Sequence, residues 1–292
     1  MGFFGEFSIW LNALLATFIA SKTAALAAAL EPALTVLAAL YVIGWGYLQA
    51  TGQIDEPVIE GFQRIARIVL VLAVGIRLWL YHAVIVDTFF TAPGQLAATL
   101  IGAPDSVTTV DTIIFQGGDA AAALIQKGGL FDGDFSYYLA GFFVYIAVGI
   151  AAIYTVFLLS LAKVALSILL ALGPLFIATL LFKASRRYFD AWLAQLSNYA
   201  LIGVLTTLVV ALLMQLLTQT ATQAAALGTG IDIATGVRVC FVCGLIFLVL
   251  RQVMPMATGL ASGVALSTHH AFSHSANWIG RQIANPRLRT VR

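Results

Sequence analysis

Three observations predict an all-α, polytopic membrane protein with about five transmembrane helices, an amphipathic N-terminal helix and a long central loop. Composition is the first: 61% of residues are hydrophobic and 10% charged, where soluble proteins average about 45–50% and about 25%. Mean hydropathy is +0.97. The second is the run from Leu139 to Phe182, whose only charge is Lys163. As one helix it would extend about 66 Å, roughly twice the hydrocarbon thickness of a bilayer. The third is the spacing of apolar runs by short polar turns, which leaves little chain for a soluble domain. Residues 1–292 therefore read as a single integral membrane domain. A net charge of +2 also argues against a basic nucleic-acid surface of the soluble kind.

Residues 1–31 begin apolar but lack the basic start of a signal peptide, since the first charge is Glu6 and the first cation Lys22. They read as a retained interfacial helix anchored by Trp10 and its phenylalanines. Glu31-Pro32 is expected to restart a helix, because proline fits a first turn and an acid suits its dipole. The first span is then 33–50. A polar turn with Asp55, Glu56 and Pro57 leads to the second span, 64–85. Arg77 rides on that span, followed by Trp79, Tyr81 and His82. A cation in hydrocarbon costs at least about 2.5–3.5 kcal/mol, so Arg77 must snorkel, pair or face a wet interior.

Residues 86–138 carry six aspartates, among them Asp111 and Asp119, against the single cation Lys127. They read as an acidic loop outside the cytoplasm, with one short helix between Val110 and Lys127. The run 139–182 is expected to cross once, long or broken, with Gly173-Pro174 as its breaking point. Lys163 then either marks where the helix leaves the bilayer or lines a polar interior. Next come the basic cluster Lys183, Arg186 and Arg187, an amphipathic piece with Phe189 and Trp192, and a span at 198–218. Trp192 and Phe189 are expected to anchor that piece at the headgroups. The last span, 237–257, is too short between Arg238 and Arg251 to keep both outside the hydrocarbon. A basic tail, 258–292, follows.

Lysine and arginine counts orient the chain. Placing the 49–64 turn, the 183–187 cluster and the tail in the cytoplasm puts most basic residues inside, with the N-terminus and 86–138 outside.

No P-loop, H-E-x-x-H, dinucleotide fingerprint or nucleophile elbow is present. Cys240 and Cys243 form a C-x-x-C inside an apolar run, where packing is the plainer reading than redox or zinc chemistry. His270 and His274 share a helix face without an acidic or thiol partner nearby, so a polar face is the plainer reading there. No cofactor or metal is expected. Gly259 and Gly263 form a G-x-x-x-G, which permits close helix packing.

The block from Ala171 to Leu196 resembles the TrbL/VirB-six family of inner-membrane components of bacterial type IV secretion systems. The resemblance rests on Gly173, Pro174, Phe182, Lys183, Arg186, Arg187, Phe189 and Trp192: a Gly-Pro in an apolar helix, an aromatic, a basic cluster, then an aromatic and a tryptophan. The order of spans and loop agrees, while the large C-terminal extension of longer members is missing. What the resemblance implies is a non-enzymatic, multi-pass inner-membrane subunit with periplasmic N-terminus and cytoplasmic C-terminus. It would form a homo-oligomeric ring, a pentamer being one option, with the 86–138 loops as a periplasmic platform. Its partners would be membrane lipid, minor pilin and bridging periplasmic subunits, and the secretion ATPases, with transient contact to a DNA or protein substrate. The rival class is a secondary transporter, whose fold normally shows internal repeats and paired broken helices. One Gly-Pro break without a counterpart argues against it.

Overall fold

The computed structural model describes residues 2–53, 58–101, 106–127, 135–181, 185–227 and 233–284. Among them there is no strand. The helices are α1 (Phe3–Ala50), α2 (Val58–Ile76), α3 (Leu78–Tyr81), α4 (Ala92–Ile101), α5 (Ser106–Lys127), α6 (Phe135–Ala171), α7 (Gly173–Ala178), α8 (Arg186–Leu227) and α9 (Ile233–Ala284). A wide-wound π-helical stretch, His82–Thr91, joins α3 to α4, and a 3-10 turn, Thr179–Leu181, follows α7. Among the described residues, five helical segments are long and apolar enough to cross a membrane: Phe3–Ala50, Leu78–Leu100, Phe135–Ala171, Arg186–Leu212 and Ile233–Ser262. The chain is an all-α polytopic membrane protein.

The core is built around α6, which packs against α1, α5, α8 and α9. Its inward positions include Val144, Val148, Thr155, Leu158, Ala162 and Leu166, while Phe142, Phe143, Ile146, Ile153 and Phe157 face outward. Small and medium side chains thus face the neighbouring helices and large apolar ones face outward. A membrane bundle packs this way, because lipid is as apolar as phenylalanine and association depends on close backbone approach.

Pairwise contacts fix the directions. Gly117 of α5 lies against Val148, and Gly141 of α6 against Ala121 and Ile125, so α5 runs antiparallel to α6. A Cβ at Gly141 would fall 2.8 Å from the Ala121 carbonyl oxygen, so only glycine permits that approach. Asn12 meets Lys163, and Ile19 clusters with Leu170, so α1 runs parallel to α6. Tyr154 packs on Phe247 with ring centroids 5.0 Å apart, and Gly236 lies near Val144, so α9 is parallel as well. The α8 helix is antiparallel, with Trp192 at Leu169. The far end of α1, the α6–α8 connection and the C-terminal half of α9 therefore lie toward one end of the bundle.

Several boundaries differ from the sequence reading. The α1 helix runs unbroken through Glu31-Pro32. Apolar helix-formers flank the proline on both sides, and its missing N–H removes one bond without a polar segment to end the helix. The expected second span is interrupted at Arg77, and the second crossing-length segment is Leu78–Leu100. The loop expected over 86–138 is helical wherever it is described, through Lys127. Its α5 helix contributes Ala121 and Leu124 to the core. Its threonines, glutamines, aspartates and lysine lower its hydropathy below that of a membrane run, while its alanines and glycines let it pack closely against another helix. The stretch expected as a loop after 218 is helix as far as Leu227. Lys183 and the tail arginines Arg287, Arg289 and Arg292 lie outside the described residues.

Candidate functional site

The apolar run that contains α6 is interrupted where Ala171 gives way to Gly173-Pro174. Proline has no N–H, so the Leu170 carbonyl four residues earlier loses its helical donor. A helix ending also leaves its last carbonyls without intrahelical partners. Two side chains from distant elements fill these positions. The Tyr81 hydroxyl donates to the Leu170 carbonyl oxygen at 2.5 Å, and the Trp192 Nε1–H donates to the Leu169 carbonyl oxygen at 2.9 Å. Tyr81 is 0% exposed and Trp192 2%.

Local sequence explains both placements. Arg77 adopts an extended backbone (φ −77°, ψ 97°) between α2 and α3. Its carbonyl then accepts from the Leu80 and Tyr81 amides, each at 3.0 Å. That corner swings Tyr81 inward while Arg77 stays exposed. Gly173 is the complementary device: a Cβ there would fall inside the van der Waals radius of the Tyr81 hydroxyl and 2.6 Å from its Cζ. Trp192 stacks on Phe176 of α7, with centroids 5.8 Å apart and planes 14° apart, and packs against Phe189 at 5.5 Å. The break is thus held from one side by α3 and from the other by α8.

A second set of polar contacts lies near mid-height of α6. Half-buried Lys163 donates from Nζ to Asn12 Oδ1 at 2.8 Å. The α6 helix is continuous at Lys163, so the lysine does not mark a helix end. Asp111 of α5 accepts from the backbone N–H of Phe4 at 3.3 Å and of Gly5 at 3.1 Å. Its carboxylate therefore caps the start of α1, where unsatisfied N–H groups and the helix dipole favour negative charge. The sequence reading assigns Asp111 to a solvated loop; in the structure it is buried. Arg251 is exposed on α9 and forms no hydrogen bond or ion pair with described residues.

Of the residues singled out from sequence, the fold gathers Gly173, Pro174, Phe189 and Trp192 into one site. Arg187 is exposed, with its guanidinium 5.1 Å from the centroid of the Tyr188 ring, and Arg186 is half-buried beside it. Lys163, Arg251 and Arg77 lie apart from the break and from one another. The Trp192 ring is interior to the bundle, where its N–H has a carbonyl to satisfy and its face a phenylalanine to cover. Tyr81 is the member that sequence reasoning missed. Its signal is an aromatic hydroxyl in an apolar segment, which must find an acceptor once buried.

Comparison with known proteins adds the family. The profile of the TrbL/VirB6 plasmid conjugal transfer protein matches residues 38–253, a stretch that contains Tyr81, the Gly-Pro break and Trp192. Among curated relatives, the type IV secretion system protein VirB6 of Bartonella quintana is 28% identical over 190 residues, covering 62% of this chain and 56% of that protein. The protein of the same name from Bartonella henselae is 27% identical over the same extent. That of Brucella abortus is 29% identical over 163 residues, covering 52% of this chain and 47% of that protein. The chain spans about half the length of the curated relatives it matches. With its five crossing-length helical segments and a profile match over most of its length, the chain belongs to the TrbL/VirB6 family.

Proposed function

We propose that the chain is a non-enzymatic inner-membrane subunit of a bacterial type IV secretion system, which oligomerises to form part of the translocation conduit or a platform for pilus assembly. The observation that carries this reading is the family match across residues 38–253, which takes in most of the bundle and its broken helix. A physical observation supports oligomerisation. Arg238 and Arg251 are exposed on the apolar helix α9, and such cations are tolerable where a neighbouring copy supplies polar or oppositely charged surroundings. In this reading the end bearing Arg186 and Arg187 faces the cytoplasm, in keeping with positive-inside bias. The opposite end, with the end of α5 and the start of α6, faces the periplasm. The ring, with five copies as one option, meets minor pilin and bridging subunits outside and the secretion ATPases inside.

Isolation of the tagged chain from lightly cross-linked host membranes tests the proposal. A multi-copy particle that retains pilin, bridging or ATPase subunits is the expected result. A chain that purifies alone as a monomer and binds a small solute would favour a secondary transporter instead.

A further inference from the structure

Resting on the proposal that several copies assemble, we infer that Glu6 of one copy and Arg251 of the next form the ion pair that fixes the register between subunits. Both side chains are exposed on strongly apolar helices, and neither has a hydrogen bond or ion pair with any described residue. An ionised group facing hydrocarbon without a partner is costly, so each calls for an opposite charge from outside its own chain.

Their heights agree. Glu6 lies six residues before Asn12, which is bonded to Lys163, so along parallel α1 it sits level with Phe157. Arg251 lies four residues beyond Phe247, which packs on Tyr154, so along parallel α9 it sits level with Leu158. The match is within one residue of α6. Yet α1 and α9 share no extensive contact, each packing on α6 and on other neighbours. Glu6 and Arg251 of a single chain thus lie on separate faces, and the pair forms between copies.

A second acid and arginine also agree in height. Asp119 of α5 is exposed two residues past Gly117, which touches Val148, and so stands level with Ile146. Arg238 of α9 is exposed nine residues before Phe247 and stands level with Tyr145. The α5 helix packs beside α1 and also touches α9, so this second pair can meet within one chain, and the contact between copies rests on Glu6 and Arg251. Exposed Phe3 and Trp10 adjoin Glu6, and Phe241 and Leu248 lie between Arg238 and Arg251. Apolar contact bordered by charge is how paired helices choose register. Joining unlike faces is a heterologous contact, which gives a ring where its rotation closes rather than a two-fold dimer.

The test uses full-length chains carrying Cys240→Ala and Cys243→Ala, co-expressed with two different tags, one bearing Glu6→Cys and the other Arg251→Cys. A short bis-maleimide should give a product carrying both tags in native membranes, at least tenfold above either cysteine alone. Glu6→Arg or Arg251→Glu alone should lower the oligomeric fraction about tenfold, and both in one chain should restore it. An intact wild-type oligomer with no doubly tagged product and no rescue would overturn the pair and leave the oligomer standing. A wild-type chain that is monomeric in native membranes would overturn both.

Discussion

The tightest contact at the broken helix makes Gly173→Ala the sharpest perturbation. The added Cβ would meet the Tyr81 ring 2.6 Å from Cζ, where ordinary contact begins at about 3.4 Å, and Tyr81 has no room to yield because it is fully buried. Displacing the ring adds overpacking of about 1–3 kcal/mol. It also leaves the Leu170 carbonyl without its donor, for about another 1–3 kcal/mol. The better helix propensity of alanine returns at most about 1 kcal/mol, so the net loss should be about 1–6 kcal/mol. Reversible unfolding in mixed micelles would measure it, within a double-mutant cycle that includes Tyr81→Ala. With the ring gone the alanine has space, so Gly173→Ala should cost at least about 1 kcal/mol less in that background. Equal costs in both backgrounds, or no cost in either, would refute the interlock.

Three further outcomes follow from the same geometry. Trp192→Phe keeps an aromatic face but removes the bond to Leu169 and part of a buried ring, and should cost about 1–3 kcal/mol, whereas Trp192→Ala empties the site and should cost about 3–5 kcal/mol; both are read as unfolding midpoints in detergent, with membrane insertion unchanged. Asp111→Ala should weaken the start of α1 by about 0.5–2 kcal/mol and speed hydrogen exchange at the Phe4 and Gly5 amides, with Asp111→Asn intermediate because it keeps an acceptor. Asn12→Leu takes the Oδ1 acceptor from Lys163 Nζ and should destabilise the α1–α6 contact by about 1–3 kcal/mol; unfolding beside the wild-type chain decides this.

Fold class was legible because hydropathy reports directly on lipid exposure, and the run around Lys163 marks the hub helix by sheer length. Proline and glycine at 173–174 are visible in the sequence, but their caps are not. Tyr81 and Trp192 reach the freed carbonyls from 89 and 23 residues away, and nothing local announces which acceptor a buried aromatic will find. The same limit applies to the Trp192 ring, whose stacking on Phe176 no local sequence pattern announces. The α5 helix was hidden for a different reason. Its threonines, glutamines, aspartates and lysine lower its hydropathy, while its alanines and glycines allow close packing against α6, a property of size that a hydropathy scale does not record. Aspartates in that region suggest solvent, yet Asp111 is buried because it faces the amide groups that begin α1.

Membership of a secretion machine is the claim on which the functional account stands. It is tested most directly by measuring conjugal or effector transfer from a host strain deleted for this chain, with and without the wild-type copy restored. The account predicts transfer lost with the deletion and recovered with the copy, at unchanged abundance of the other subunits. Undiminished transfer from the deleted strain would contradict it.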